Sequence, residues 1–278
     1  MIQDIFPHKF DNAFLPREPR DSDIVFLFEG TDVFLKEDQF LTFADMAPEL
    51  KENSQQYLYL FQIDDTAFFY LKTDIAMDIE KQKVTKQPFF IFRKYEPSYL
   101  AYAGIVAYNL YQWYEKHKFC GHCGGTMIFS ERERALICPS CEETVYPTIS
   151  PAVIVAVTNK EKLLLTKYTG RAYTNYALVA GFTEIGETLE ETVIREVKEE
   201  VGLKVKNVRY YKNQPWPFTG TLLVGFYADL DGNDEIQLEE EELKEGTWFV
   251  RDEIPPTEGT ISLTAEMIEI FREGKEPK

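Results

Sequence analysis

Four cysteines constrain this chain more than any other feature. Cys120, Cys123, Cys138 and Cys141 stand as two C-x2-C pairs with fourteen residues between them. Disulfides or a redox pair are one use of such spacing. Two tight pairs with nothing left over fit a tetrahedral thiolate site for Zn²⁺ better. "FCGHCGG" puts glycine after each cysteine of the first pair, and Pro139 follows Cys138 in the second. These are the positions where the chain must curl back on a metal. With thiolates in all four positions no coordination site is open, so the zinc is expected to be structural. His117 and His122 lie nearby but are not needed as ligands. Arg132 and Arg134 are interleaved with Glu131, Glu133, Glu142 and Glu143, so this segment offers nucleic acid no basic face.

The chain of 278 residues has room for two domains or three small modules. Its net charge of −17 argues against nonspecific binding to nucleic acid or anionic membrane. The same charge means that an anionic substrate would need metal ions to shield it. The first 21 residues carry charges throughout and lack the apolar core of a secretory signal. The longest apolar run, 99–108, is well short of the ~20 residues a membrane helix requires. These features predict a cytoplasmic protein that does not enter a membrane.

The pattern predicts an α+β chain in three parts. Residues 1–98 form a mixed α/β domain with hairpins over 24–36, turning at 30–32, and over 57–71, turning at Asp64 and Asp65. Residues 99–148 form a helix that leads into the four-cysteine ribbon. Residues 149–278 form the third part. There "PAVIVAV", "KLLLTKY" and "YALVAGF" read as buried strands, and helices are expected at 189–201 and near 263–273. Between two further strand-like runs lies "NQPWPFTG", 213–220. Its prolines lack the N–H groups of a sheet ladder, which excludes a central strand.

The helix at 189–201 carries the chemistry. Thr188 and Glu191 form a capping box, Gly202 suits the C-terminal stop, and Val193, Val197 and Val201 give a buried face. Glu196, Glu199 and Glu200 stand beside that face. Like charges at this spacing weaken an isolated helix. A solvated acidic face balanced by Arg195 and Lys198 is one explanation. An oxygen-rich site for Mg²⁺ or Mn²⁺ is the other.

Gly181, Glu187 and the run Arg195-Glu196-Val197-Lys198-Glu199-Glu200-Val201-Gly202-Leu203 match every defined position of the Nudix box. Together with the ribbon, Trp113 and "QPWPF", the layout resembles the NADH pyrophosphatase family of Nudix hydrolases. The likeness is good from about 101 onward and holds only in outline before it. It implies a Nudix α/β/α sandwich after the ribbon, and hydrolysis of NADH or NAD to NMN(H) and AMP. It implies two or three Mg²⁺ or Mn²⁺ ions held by Glu196, Glu199 and Glu200, with Arg195 orienting the glutamates. Glu200 or Glu199 is the expected base. A downstream metal carboxylate is Glu242 when Leu243 and Trp248 are aligned, with Glu241 the alternative.

By the same resemblance Tyr146 and Phe182 stack on the base, and Ser262 belongs to a segment that contacts substrate through its backbone. Gln214, Pro215, Trp216, Pro217 and Phe218 belong to the array that marks enzymes acting on NAD(H). Here Asn213, Thr219 and Thr221 depart from or replace its edge residues. Fixed prolines would hold that loop in one conformation and spare ordering entropy on binding. The resemblance also implies a homodimer. Other substrates within the class are the NAD cap of RNA 5′ ends, ADP-ribose and free nucleotides. A nucleotide sensor without catalysis is the alternative from a different class.

Overall fold

A computed structural model of the protein describes residues 1–52, 56–72, 84–170, 175–256 and 261–278. The chain divides into two units. One holds Ile2–Thr148 with Pro217–Thr219, and the other holds Met1, Ile149–Trp216 and Gly220–Lys278.

In the first unit, strands β1 (Phe10–Asp11), β2 (Ile24–Phe26), β3 (Phe28–Glu29), β4 (Asp32–Lys36) and β5 (Gln39–Phe40) precede a short helix, α1 (Pro48–Lys51). Strands β6 (Tyr57–Ile63), β7 (Thr66–Leu71) and β8 (Val84–Pro88) follow, then helix α2 (Ser98–Lys116). One sheet has the order β1-β6-β7-β2, and another has β3-β4-β5 with β8 on β4. The hairpin expected over 57–71 is present, turning at Asp64, which has a positive φ. The one expected over 24–36 is divided. β3 and β4 pair as a hairpin, but β2 runs parallel to β7 in the other sheet. All of 24–28 except Ile24 is buried, so apolar alternation gave no sign of the switch of sheet. Helix α2 packs through aromatic rings, Tyr111 stacking on Phe28 at 5.0 Å and Tyr102 meeting Phe10 edge-on at 5.2 Å. The ribbon closes this unit with β9 (Ile128–Phe129), β10 (Leu136–Ile137) and β11 (Thr144–Val145), ordered β11-β10-β9.

The second unit is an α/β/α sandwich. Strands β12 (Ser150–Asn159), β13 (Lys162–Tyr168) and β14 (Val179–Phe182) precede helix α3 (Leu189–Val201). Strands β15 (Val205–Trp216), β16 (Thr221–Leu230) and β17 (Leu243–Val250) precede helix α4 (Leu263–Arg272). The sheet runs β15-β16-β12-β13-β17, with β14 on β12 and a parallel β12–β16 pair. Alternation along β12 builds both faces. Val153, Val155 and Val157 pack with Val193, Val197 and Val201 of α3. Ile154 and Ala156 pack with Leu263, Met267 and Phe271 of α4. A central strand covered on both sides reads as a continuous apolar run, as "PAVIVAV" does. The "QPW" segment does not interrupt the sheet. β15 runs through Trp216, with Pro215 opposite Leu222, and does so at the sheet's edge, where a missing N–H is tolerated.

The first unit is tied together by a part-buried ion pair whose carboxylate is fully enclosed. Arg17 donates from both Nη atoms to the Asp23 carboxylate at 2.7 and 2.8 Å. The N–H groups of Arg20 and Ala67 donate to the same group at 2.6 and 3.0 Å. Burial raises the Asp23 carboxyl, but these four donors outweigh burial and hold it below the ordinary carboxylate value. A lowered carboxyl stabilises the fold above its unfolded value of about 3.9, and that contribution is lost as pH falls through the lower folded value. Asp23→Asn leaves Arg17 uncompensated and should cost roughly 3 kcal/mol in urea denaturation at pH 7, the gap closing in strong acid. An equal midpoint for variant and wild type at pH 7 would contradict this.

Candidate functional site

The four cysteines converge. Their Sγ atoms all lie within 4.8 Å of one another. Cys120 faces Cys141 at 3.6 Å and Cys123 faces Cys138 at 3.4 Å, with all four thiols free. Each pair sits on a tight turn. Gly124 N–H donates to the Cys120 carbonyl at 2.9 Å, and Glu142 N–H donates to that of Cys138 at 2.9 Å. Burial raises the Cys138 thiol, but the N–H groups of Ser140 and Cys141 lower it to about 6. A soft, four-sulfur donor set drawn this close together fits Zn²⁺ and leaves no position for a substrate. Of the neighbouring histidines, His117 bonds the Trp113 carbonyl at 2.7 Å.

The second cluster is built on α3. The capping box forms as the sequence predicts, Glu191 N–H donating to Thr188 Oγ1 at 3.2 Å and Thr188 N–H to Glu191 Oε2 at 2.8 Å. Gly202 ends the helix with φ +72°. The buried valine face carries Glu196 and Glu200 inward with it, and they remain only 9 and 3% exposed. Arg195 then organises the carboxylates. It grips Glu187 through Nε at 2.6 Å and Nη2 at 2.8 Å. Its Nη1 donates to Glu196 at 2.7 Å and to Glu199 at 2.9 Å. Its Nη2 also donates to the Phe182 carbonyl at 2.9 Å. The grip of Arg195, with the Glu184 N–H, pulls the Glu187 carboxyl down to about 2.

Burial raises the Glu196 carboxyl, Arg195 opposes that, and the charges of Glu199 and Glu242 raise it further. Glu242 therefore acts on the cluster. The acidic loop is brought there by backbone bonds from Glu239 N–H to the Glu200 carbonyl at 3.0 Å and from Thr169 N–H to the Glu242 carbonyl at 2.8 Å. Gly181 completes the arrangement, since a Cβ there would overlap the Glu196 carboxylate. One guanidinium thus serves three carboxylates, Glu196 buried among them, in a carboxylate cluster that hard divalent ions suit. Among the described residues only the cysteines bring three or more donors within 4.8 Å, so the glutamates line a wider space.

The remaining residues expected to meet substrate fall into two groups. Tyr146, in the first unit, and Phe182, in the second, are 54 and 57% exposed and present open rings. Tyr146 also donates to Glu133 at 3.0 Å. Pro215 is exposed and Trp216 half-buried at the end of β15. Pro217–Thr219 groups with the first unit, where Phe218 lies 4.6 Å from the Arg93 guanidinium and 6.4 Å from Phe89. Gln214 is fully buried and Ser262 caps α4, accepting from Ala265 N–H at 3.3 Å. Sequence reasoning missed the two-pronged grip of Arg195 on Glu187 and the inward turn of Gln214. Glu187 lies before the helix, so no helical spacing signals its pairing.

Residues 148–269 match the NUDIX domain family, and residues 115–146 match the NADH pyrophosphatase zinc ribbon domain. The second unit is a Nudix domain. The chain thus carries an NADH pyrophosphatase zinc ribbon followed directly by a NUDIX domain. A protein of Pectobacterium atrosepticum named NAD-capped RNA hydrolase NudC is 43% identical over 156 residues, covering 55% of this chain and 60% of that one. Its counterpart from Enterobacter sp. is 45% identical over the same shares. The chain thus spans about 60% of the length of the curated relatives it matches. A crystal structure of a NUDIX hydrolase from Nitrosomonas europaea is 28% identical, covering 56% of this chain and 91% of its own, with a TM-score of 0.49.

Removing one ligand of a closed zinc site should cost stability before chemistry. Wild type should contain about one zinc per chain, and Cys138→Ser should lose it with a lowered melting temperature. Full zinc content and an unchanged melting temperature in the variant would contradict the assignment.

Proposed function

We propose that the chain hydrolyses the pyrophosphate bond of NADH or NAD to NMN(H) and AMP, and that the same site removes NAD caps from RNA 5′ ends. The observation that carries this reading is the Arg195-centred set of carboxylates around the Gly181 cradle. Glu196, Glu199, Glu200 and Glu242 would hold Mg²⁺ or Mn²⁺. When bound, two or three such ions supply charge neutralisation to the diphosphate and activation to the attacking water.

The chain's own residues do the rest. Arg195 fixes Glu196 and Glu199 through one nitrogen, and in each it bonds only one of the two carboxylate oxygens. Glu200 or Glu199 accepts the proton of the attacking water. The exposed rings of Phe182 and Tyr146 offer stacking faces, each worth roughly 1–3 kcal/mol per base in nucleic-acid complexes. Assembly as a homodimer and a cytoplasmic location belong to the same proposal.

One observation favours a second reading. Phe218 already rests under Arg93, so the aromatic loop is suited to act as a brace, with ADP-ribose or another nucleoside diphosphate derivative as the substrate. The test is Glu200→Gln, which keeps size and removes charge. Turnover of NADH in Mn²⁺ should fall at least ~10²-fold, while Glu191→Gln, which alters only the helix cap, should leave it nearly unchanged. Near-normal turnover in Glu200→Gln would remove Glu200 from the site. Turnover of ADP-ribose far above that of NADH by wild type would favour the second reading.

A further inference from the structure

Strand β15 buries a single side chain, and that side chain is polar. Its other residues are exposed or half-buried, whereas Gln214 is 0% exposed. Its carboxamide faces the start of α4. Nε2 donates to the Ile261 carbonyl at 2.8 Å, and Oε1 accepts from Leu263 N–H at 2.7 Å. The side chain thus pairs with residues 261 and 263 as a neighbouring peptide group would. Between them sits Ser262, the N-cap of α4, and Leu263 is anchored in the core. Two more contacts from β15 meet the first turn of α4, Tyr211 Oη donating to Glu266 at 2.9 Å and Lys212 Nζ to the same oxygen at 3.1 Å.

Apolar burial does not explain a glutamine here. A methionine of similar length would fill the space, whereas an amide left without partners would lose its hydration with nothing in return. What the amide adds is geometry, because its two ends fix both polar groups of the turn at once. Gln214 also directly precedes Pro215 and Trp216, so it ties the exit of β15 to the turn at 261–263.

We propose that Gln214 is a positioning residue, which holds the turn at 261–263 in register with Pro215 and Trp216 so that this turn is pre-formed for the nucleotide. The nucleotide in this statement rests on the hydrolase reading above, and the clamp itself does not. Gln214 is thereby assigned an internal role in the QPWPF segment. A turn held in advance spares ordering entropy on binding, so its loss appears as weaker binding and not as slower chemistry.

Two variants test this. Gln214→Met keeps length and removes both bonds. Gln214→Glu keeps the acceptor for Leu263 N–H and loses the donor to Ile261. Hydrogen exchange at the Leu263 amide should be at least about tenfold faster in Gln214→Met than in wild type. With NADH and Mn²⁺, KM should rise about fivefold or more while kcat stays within about twofold. Gln214→Glu should fall between wild type and Gln214→Met on both readouts, and it carries the test if Gln214→Met does not fold. Unchanged exchange in the folded variants overturns the clamp. Faster exchange with a lowered kcat and an unchanged KM overturns the positioning role and leaves a structural brace. If wild type does not hydrolyse NADH, the functional reading fails, and Leu263 exchange still decides the clamp.

Discussion

The guanidinium of Arg195 joins a loop, a strand and a helix that carry repelling charges. Glu187 comes from the loop before α3, the Phe182 carbonyl from the end of β14, and Glu196 and Glu199 from α3 itself. A planar fork with five N–H donors can meet all of these at once, which a lysine cannot. Because Glu187 takes two of those bonds, the positive charge is largely spent on a residue outside the set proposed to hold metal. Glu196, Glu199, Glu200 and Glu242 keep a surplus of negative charge, and that surplus is what a divalent ion would bind.

The sandwich decides that this charge is held in place. Valines spaced four apart dock α3 on the Val153–Val155–Val157 face of β12, and the adjacent helical positions carry Glu196 and Glu200 inward with them. A more solvated helix face would relieve the burial that raises the Glu196 carboxyl. Gly181 lets β14 approach until only hydrogen separates it from the Glu196 carboxylate. The opposite face of the sheet performs a different task. There α4 is pinned to β15 by Tyr211, Lys212 and Gln214, which sets the turn that begins the helix.

Much of this was legible in the residues because it depends on local spacing. The cysteine pairs, the capping box at Thr188, the αL stop at Gly202 and the continuous apolar run of β12 are short-range signals with direct physical causes. What was not legible depends on partners distant in sequence. The run 24–36 looks like one hairpin, yet its first strand pairs with β7 of another sheet. The prolines of QPWPF suggested a break in the sheet, whereas the edge of the sheet accommodates Pro215. Gln214 lies in a motif that suggested contact with substrate, and nothing local shows that its amide turns inward to residues 261 and 263. Glu242 lay between these cases. Its neighbourhood could be picked out from Leu243 and Trp248, but its influence on Glu196 arises from loop bonds to Thr169 and Glu200.

The proposed role of Glu196, Glu199, Glu200 and Glu242 is to direct water, through bound metal, to a pyrophosphate bond. The most direct measurement is product analysis by mass spectrometry after incubating the purified protein with NADH and Mn²⁺ in ¹⁸O-labelled water. The expected products are NMNH and AMP, with one ¹⁸O in a phosphate of one product and no reaction when the metal is chelated. Release of free nicotinamide, or product formation undiminished by the chelator, would contradict it.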